Sequence, residues 1–208
     1  MIVIVDYGMG NLRSVQKAFE AVGAQASISS DPAAVAKAER VVLPGVGAFA
    51  DAIAELRRTG LDRAFIEAVH AGKPCLGVCL GMQLLFEVSE EDGLHQGLGL
   101  LPGRVVRFTS RPGLKIPHMG WNTLTFNPVN SCPLFIDQPE HPSVYFVHSY
   151  FVQPARPEDV AATADHPEPF TAAVARGNLF GCQFHPEKSQ TVGLKIYRAF
   201  TQLPLQVS

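Results

Sequence analysis

One cysteine lies between two glycines in Gly77-Val78-Cys79-Leu80-Gly81, and this is the sharpest chemical signal in the 208-residue chain. An apolar run, Cys75 to Val78, precedes it, and a helical pattern follows. Strand, tight turn and helix in that order form a nucleophile elbow, here with Cys in place of Ser. The glycines are needed because larger neighbours would collide at so sharp a turn. A helix beginning at Leu80 would point its positive end and its free N–H groups at the sulfur, favouring a thiolate and an oxyanion. Cys75 and Cys182 fall in apolar strands and Cys132 in a Pro-flanked turn, so these three read as structural. With no CxxC pair and no dense cysteine framework, a reducing, cytoplasmic compartment is expected.

A cysteine nucleophile needs a base. Of seven histidines, His185 stands out in Gln183-Phe184-His185-Pro186-Glu187. Pro186 biases the residue before it toward extended geometry, and in an extended segment positions i and i+2 share a face. Glu187 can then orient the His185 ring, completing a Cys79–His185–Glu187 triad of nucleophile, base and orienting acid. A third element is Pro44-Gly45-Val46-Gly47, directly after an apolar run. In open α/β sheets the carboxyl ends of strands line the active crevice. A Gly-rich turn there can bring backbone N–H groups close to a substrate carbonyl, as one half of an oxyanion hole with the Leu80 N–H as the other. Gly45 and Gly47 would let the peptide between them rotate at little steric cost.

Other chemistries are excluded or unsupported. Gly8-Met9-Gly10 lacks the third glycine of a dinucleotide loop. No histidine–carboxylate spacing suits a metal, and neither metal nor cofactor is expected. A net charge of −2 argues against nucleic acid. No apolar run approaches the roughly 20 residues of a membrane span, and the N-terminus reads as a strand rather than a signal peptide.

The surrounding pattern supplies the scaffold. Hydrophobic residues make up 47% of the chain, which excludes intrinsic disorder, and charged residues only 17%. Strands are predicted at the N-terminus and near 26–28, 40–43 and 75–78. Helices are predicted over 12–22, from Pro32, over 48–58, 61–71 and 80–87, with Asn11 able to cap the first. This alternation implies βαβ units and a parallel sheet covered on both faces. After about residue 93 the texture changes to short strand-like runs at 103–108, 121–126, 143–147, 150–153, 160–164, 170–175 and 179–184, then a helix over 190–202. The expected fold is therefore α/β: a mostly parallel central sheet flanked by helices, with antiparallel strand additions in the C-terminal half. The absence of a linker or repeat makes 1–208 one expected domain.

Taken together, PGVGAF (44–49), GVCLGMQ (77–83) and HPEKS (185–189) resemble the class I (triad) glutamine amidotransferases. IVDYGMGNLRSV (4–15), PHMGWN (117–122) and YFVHSY (145–150) extend the likeness over nearly the whole chain. They resemble in particular the members that hand ammonia to a (β/α)8 cyclase partner in histidine biosynthesis. The resemblance implies that glutamine is hydrolysed at Cys79, that the Val46 N–H supplies the turn's half of the oxyanion hole, and that the Gly45–Gly47 turn acts as a gate. It implies that Gln83 and Glu91 hold the amino-acid end of the substrate, with the backbone of His148, Ser149 and Tyr150. It also places Asn11, His118, Met119, Trp121, Tyr145 and Lys188 at the surface that meets the cyclase, in a heterodimer. At this stage three alternatives stay open: a glutaminase of the anthranilate, guanylate or pyridoxal phosphate pathways, a noncatalytic regulator on the same fold, and a self-sufficient cysteine hydrolase.

Overall fold

The computed structural model describes residues 1–205. Four parallel strands open the chain: β1 (Ile2–Val5), β2 (Ala26–Ser29), β3 (Arg40–Gly45) and β4 (Cys75–Cys79). Helices α1 (Leu12–Ala21), α2 (Pro32–Lys37), α3 (Phe49–Thr59) and α4 (Leu61–His70) connect them. Asp31 caps α2 by accepting from the Ala33 N–H, with Pro32 in the first turn. Asn11 occupies the cap position of α1 but makes no side-chain capping bond, contrary to the expectation for it.

Because β1, β3 and β4 are covered on both faces, they read as unbroken apolar runs. Ile2 and Ile4 join a core with Phe19 of α1 and Ile196, Tyr197 and Phe200 of α6 (Gln190–Gln202). Val3 and Val5 point the other way, into a core with Val35, Phe49, Leu56 and Phe65. This is the period-two alternation of a strand, with apolar residues on both sides.

The chain after Cys79 departs from the predicted pattern. Helix α5 is a single turn, Leu80–Gln83, and strand β5 (Phe86–Ser89) takes the place of the rest of the helix predicted over 80–87. The returning segment provides the cause. The carbonyls of Leu84, Leu85, Phe86 and Glu87 accept from the N–H groups of Leu98, Leu100, Gly99 and Gly97. Those carbonyls cannot also serve a continuing helix. β6 (His95–Gln96) pairs antiparallel with β5 and was likewise not anticipated.

The remaining strands are β7 (Leu101–Arg107), β8 (His118–Thr123), β9 (Thr125–Phe126), β10 (Ser143–His148), β11 (Tyr150–Pro154), β12 (Val160–Asp165), β13 (Pro169–Arg176) and β14 (Leu179–Cys182). Among the described residues the main sheet runs β2-β1-β3-β4-β14-β13-β11-β7-β5-β6, with β12 and β9 attached at β13. The first five of these are mutually parallel. β13, β11 and β7 add antiparallel pairings, as expected of the C-terminal half. β8 and β10 form a separate antiparallel pair. The late strand β14 inserts beside β4, so residues more than a hundred apart in sequence share one sheet edge.

Candidate active site

β3, β4 and β14 are neighbours, and the three sequence motifs follow or close them at the same carboxyl edge. Cys79 ends β4 with φ 55° and ψ −114°, a conformation that costs a non-glycine residue on the order of 1–3 kcal/mol. The strain is enforced by close approach. A Cβ on Gly81 would strike the Leu43 carbonyl, and one on Gly77 would lie 2.6 Å from the Gly81 oxygen. Both flanking glycines are therefore required. The four-residue α5 is too short to supply much of the dipole expected from a long helix, so its contribution is limited to first-turn N–H groups.

β3 runs through Pro44 to Gly45, further than predicted, and sets Gly45 directly beside Cys79. A Cβ on Gly45 would collide with the Tyr7 hydroxyl, which donates to the Pro44 carbonyl at 2.9 Å. Gly47 adopts φ 101° with open space around its Cα. Of the two glycines in the expected gate, only Gly47 combines freedom of conformation with room to use it. Val46 between them is 42% exposed at the cavity wall.

His185 follows β14 and is buried. Its Nδ1 donates to Glu187 Oε1 at 2.8 Å, as the triad reading requires. The local geometry differs from the one expected, since Pro186–Lys188 is a turn of 3-10 helix and not an extended segment. The Glu187 side chain is buried and also accepts from the Tyr197 hydroxyl at 3.3 Å. His185 Nε2 has no hydrogen-bond partner despite its burial. Burial by itself would lower the pKa of His185, but the adjoining Cys79 and Glu187 outweigh it and raise the value to about 10.

A cavity of about 340 Å³ opens at this edge. It is lined by Val46, Gly47, Cys79, Leu80 and His185. Gln83, Glu91, His148, Ser149 and Tyr150 also face it. Gly45 and Glu187 stand behind the wall. Gln83 is buried, and its Nε2 donates to the Tyr150 carbonyl and to Gln183 Oε1, both at 3.0 Å. Glu91 Oε2 accepts from the Phe49 N–H at 2.8 Å, at the start of α3. Its pKa is raised by burial, which that backbone donor partly offsets.

The PHMGWN segment divides by strand alternation. In the β8–β10 pair, Trp121 faces Tyr145 and Met119 faces Val147 on the outer side. Met119 is 62% and Trp121 50% exposed, so Trp121 is not a core residue. Lys188 Nζ lies 5.8 Å from the Tyr145 ring centroid, and Asn11 is exposed. His118 corrects the expectation made for it: it points inward and is buried, so it offers no surface to a partner. Its Nδ1 meets His148 Nε2 at 3.0 Å, its Nε2 accepts from Asn122 Nδ2 at 3.1 Å, and His148 Nδ1 donates to the Tyr150 carbonyl at 2.8 Å.

Sequence reasoning missed two residues. Gln183 is fully buried with its Nε2 3.7 Å from Cys79 Sγ. Ser189 accepts from the Tyr145 N–H and donates to the His185 carbonyl, tying the base to β10. Both lie within the motif around His185, but nothing in the sequence shows what their side chains meet. Among the described residues no cluster of three or more His, Cys, Asp or Glu could hold a metal.

The nucleophile elbow, the buried His–Glu pair and the mostly parallel sheet are the features of a triad amidotransferase. The family model "Glutamine amidotransferase class-I" matches residues 3–202, and the chain belongs to that family. Solved structures agree at the level of fold. A "Crystal structure of glutamine amidotransferase" superposes with TM-score 0.75 at 18% identity, covering 97% of this chain and 98% of the other. "Structure of PurLQS from Thermotoga maritima" gives TM-score 0.73 at 21% identity, covering 96% of each. Among curated relatives the chain is similar to "Imidazole glycerol phosphate synthase subunit HisH". It is 54% identical to that of Syntrophotalea carbinolica, covering 96% of this chain and 98% of the relative. It is 52% identical to that of Rhodopirellula baltica over the full length of both, and 55% to that of Gloeobacter violaceus over 97% and 88%.

Proposed function

We propose that this chain is the glutaminase subunit of an imidazole glycerol phosphate synthase, acting as one amidotransferase domain over its whole length. The observation that carries the chemistry is that a strained Cys79 and a buried His185 line one cavity, with Glu187 bonded to His185 from behind it. The likeness to HisH subunits over nearly the whole chain supports the assignment of pathway.

Cys79 gives its proton to His185 Nε2, and the thiolate attacks the carboxamide carbon of glutamine. The oxyanion is held by the Leu80 N–H and by an N–H of the Gly45–Gly47 turn, that of Val46. His185 protonates the departing ammonia, leaving a γ-glutamyl thioester. Water activated by His185 then releases glutamate and regenerates the thiol. Glu187 holds the ring by its Nδ1–H, which keeps Nε2 directed at the sulfur. At the other end of the cavity the free groups are acceptors. Both Gln83 N–H donors are already engaged, leaving its Oε1, and Glu91 retains a second carboxylate oxygen. Acceptors of this kind suit the α-ammonium group, and the backbone of His148, Ser149 and Tyr150 remains for the α-carboxylate.

Ammonia set free in water would be protonated and lost as a nucleophile. A (β/α)8 cyclase bound over the cavity mouth receives it and makes imidazole glycerol phosphate and aminoimidazole carboxamide ribotide. The row of exposed Met119 and Trp121 with half-buried Tyr145, and Lys188 beside it, supplies aromatic and cationic anchors for that contact. Val147, opposite Met119, lines the cavity and makes the row continuous with it.

The test is reconstitution with a (β/α)8 cyclase and its ribonucleotide substrate. A complex should form, and glutamine turnover should rise by about 10²–10³ over the isolated chain, the effect of completing an oxyanion hole. No complex with the cyclase, or equal turnover with and without it, would overturn the assignment.

A further inference from the structure

Gln183 follows β14, and its backbone N–H donates to the Ala172 carbonyl at 2.8 Å. The residue is fully buried behind Gln83 and does not line the cavity. Its side chain bridges two groups that do. Oε1 accepts from Gln83 Nε2 at 3.0 Å, and Nε2 donates toward Cys79 Sγ at 3.7 Å, within reach of a hydrogen bond to sulfur.

The direction of this bridge is fixed by its neighbours. The Tyr150 carbonyl can only accept, so the nitrogen of the Gln83 amide must face it. The second N–H of that same nitrogen meets Gln183 Oε1. A flipped Gln183 would oppose two NH2 groups and turn a carbonyl oxygen on the sulfur. The donor end of Gln183 is therefore aimed at Sγ by a chain that begins at a backbone carbonyl.

A hydrogen bond to sulfur strengthens when the sulfur is charged. Sγ is charged before it attacks and charged again when it leaves. In the first step the S–C bond forms and the C–N bond breaks, with the proton on ammonia coming from His185. In the second, the oxygen of water bonds to the carbonyl carbon and the S–C bond breaks. The electron pair then returns to sulfur, and the water proton passes to His185. The oxyanion donors face the carbonyl oxygen and do nothing for the sulfur.

We propose that Gln183 is a further catalytic residue: its amide N–H stabilises Cys79 Sγ as the attacking and the departing thiolate, with Gln83 fixing the amide's direction. This rests on the triad reading given above.

The experiment compares Gln183→Met, Gln183→Glu and Cys79→Ala, with kinetics in the complex with the cyclase and alkylation by iodoacetamide on the full chain. Burial raises the thiols of Cys75, Cys132 and Cys182, and the alkylation that persists in Cys79→Ala is subtracted, so the difference reads Cys79. Gln183→Met should lower kcat about 10- to 100-fold, the range of a hydrogen bond to a charged group, and slow alkylation, with KM changing far less. Gln183→Glu should recover part of kcat at low pH, where its neutral carboxyl offers an O–H, and lose it as the carboxyl ionises. A merely structural role would not give that pH profile. Gln183→Met with kcat within about twofold of the parent would overturn the proposal, since that is far below the smallest such bond. A Gln183→Glu pH profile matching the parent's would do so even if the methionine variant failed to fold. Hydrolysis surviving in Cys79→Ala would instead sink the triad reading. An inactive Cys79→Ala beside a fully active Gln183→Met sinks this inference alone.

Discussion

His185 and His148 line the same cavity, both buried, and are driven in opposite directions. His185 is raised to about 10, although burial opposes it, because Cys79 and the Glu187 carboxylate adjoin its ring. His148 falls to about 3, chiefly through burial, which the Tyr150 carbonyl partly offsets and the neighbouring His118, His166 and His185 deepen. His118, its hydrogen-bonded partner, falls to about 4 by burial and by the nearby His166. Burial acts alike on all three rings. The charge of the adjoining side chain decides which one handles protons and which two remain neutral connectors.

The sharpest way to break that contrast is Glu187→Gln. It removes the carboxylate yet keeps the volume, so the ring loses both its orienting acceptor and part of its charge partner. Glutamine turnover should fall on the order of 10³–10⁴, as when the acid of a triad is neutralised. The His185 resonances should titrate at lower pH while those of His148 stay put. An unchanged His185 titration would mean that Glu187 is not what lifts it.

Trp121→Ala probes the outer side of the strand that carries His118. If Trp121 anchors the cyclase, affinity should weaken by about 2 kcal/mol or more. Melting temperature and both histidine groups should be little changed, because the ring is half exposed. Undiminished affinity with a collapsed melting temperature would return Trp121 to a structural role.

A smaller effect sharpens the other side of the contrast. A base whose pKa is depressed by folding takes up protons on unfolding, so stability falls as pH drops from about 6.5 toward the folded values near 4 and 3. His185 has the opposite sign: its contribution is complete below about 6.5 and is lost as pH rises through about 10. His118→Gln keeps a donor for His148 Nε2 but removes one neutral buried ring. The midpoint of acid unfolding should move down by roughly half a pH unit, with the alkaline limb unmoved. An unshifted acid midpoint would show that the His118–His148 pair does not limit acid stability.

These contrasts were unequally legible in the sequence. The elbow at Cys79 could be read because steric demand writes itself as glycine on both sides. The Glu187 partner could be read because it is local, even though the turn proved to be 3-10 and not extended. Of the first four parallel strands, β1, β3 and β4 could be read from unbroken apolar runs, while β2 (Ala26–Ser29) carries only a weak pattern. β5 could not, because the Leu84–Glu87 carbonyls are claimed by residues 97–100, and nothing local announces that. The inward turn of His118 depends on the register of β8 against β10, in which it pairs with His148 thirty residues away. Gln183 escaped for a similar reason, since its task is defined by an amide chain through Gln83 to Tyr150.

The most direct test of the whole account is to catch the covalent intermediate. The complex with the cyclase would be mixed with glutamine, quenched in acid within one turnover, and digested for peptide mass mapping. A γ-glutamyl adduct is expected on the peptide containing Cys79, absent in Cys79→Ala and accumulating when deacylation is slowed. An adduct on another residue, or rapid glutamate release with none on Cys79, would contradict it.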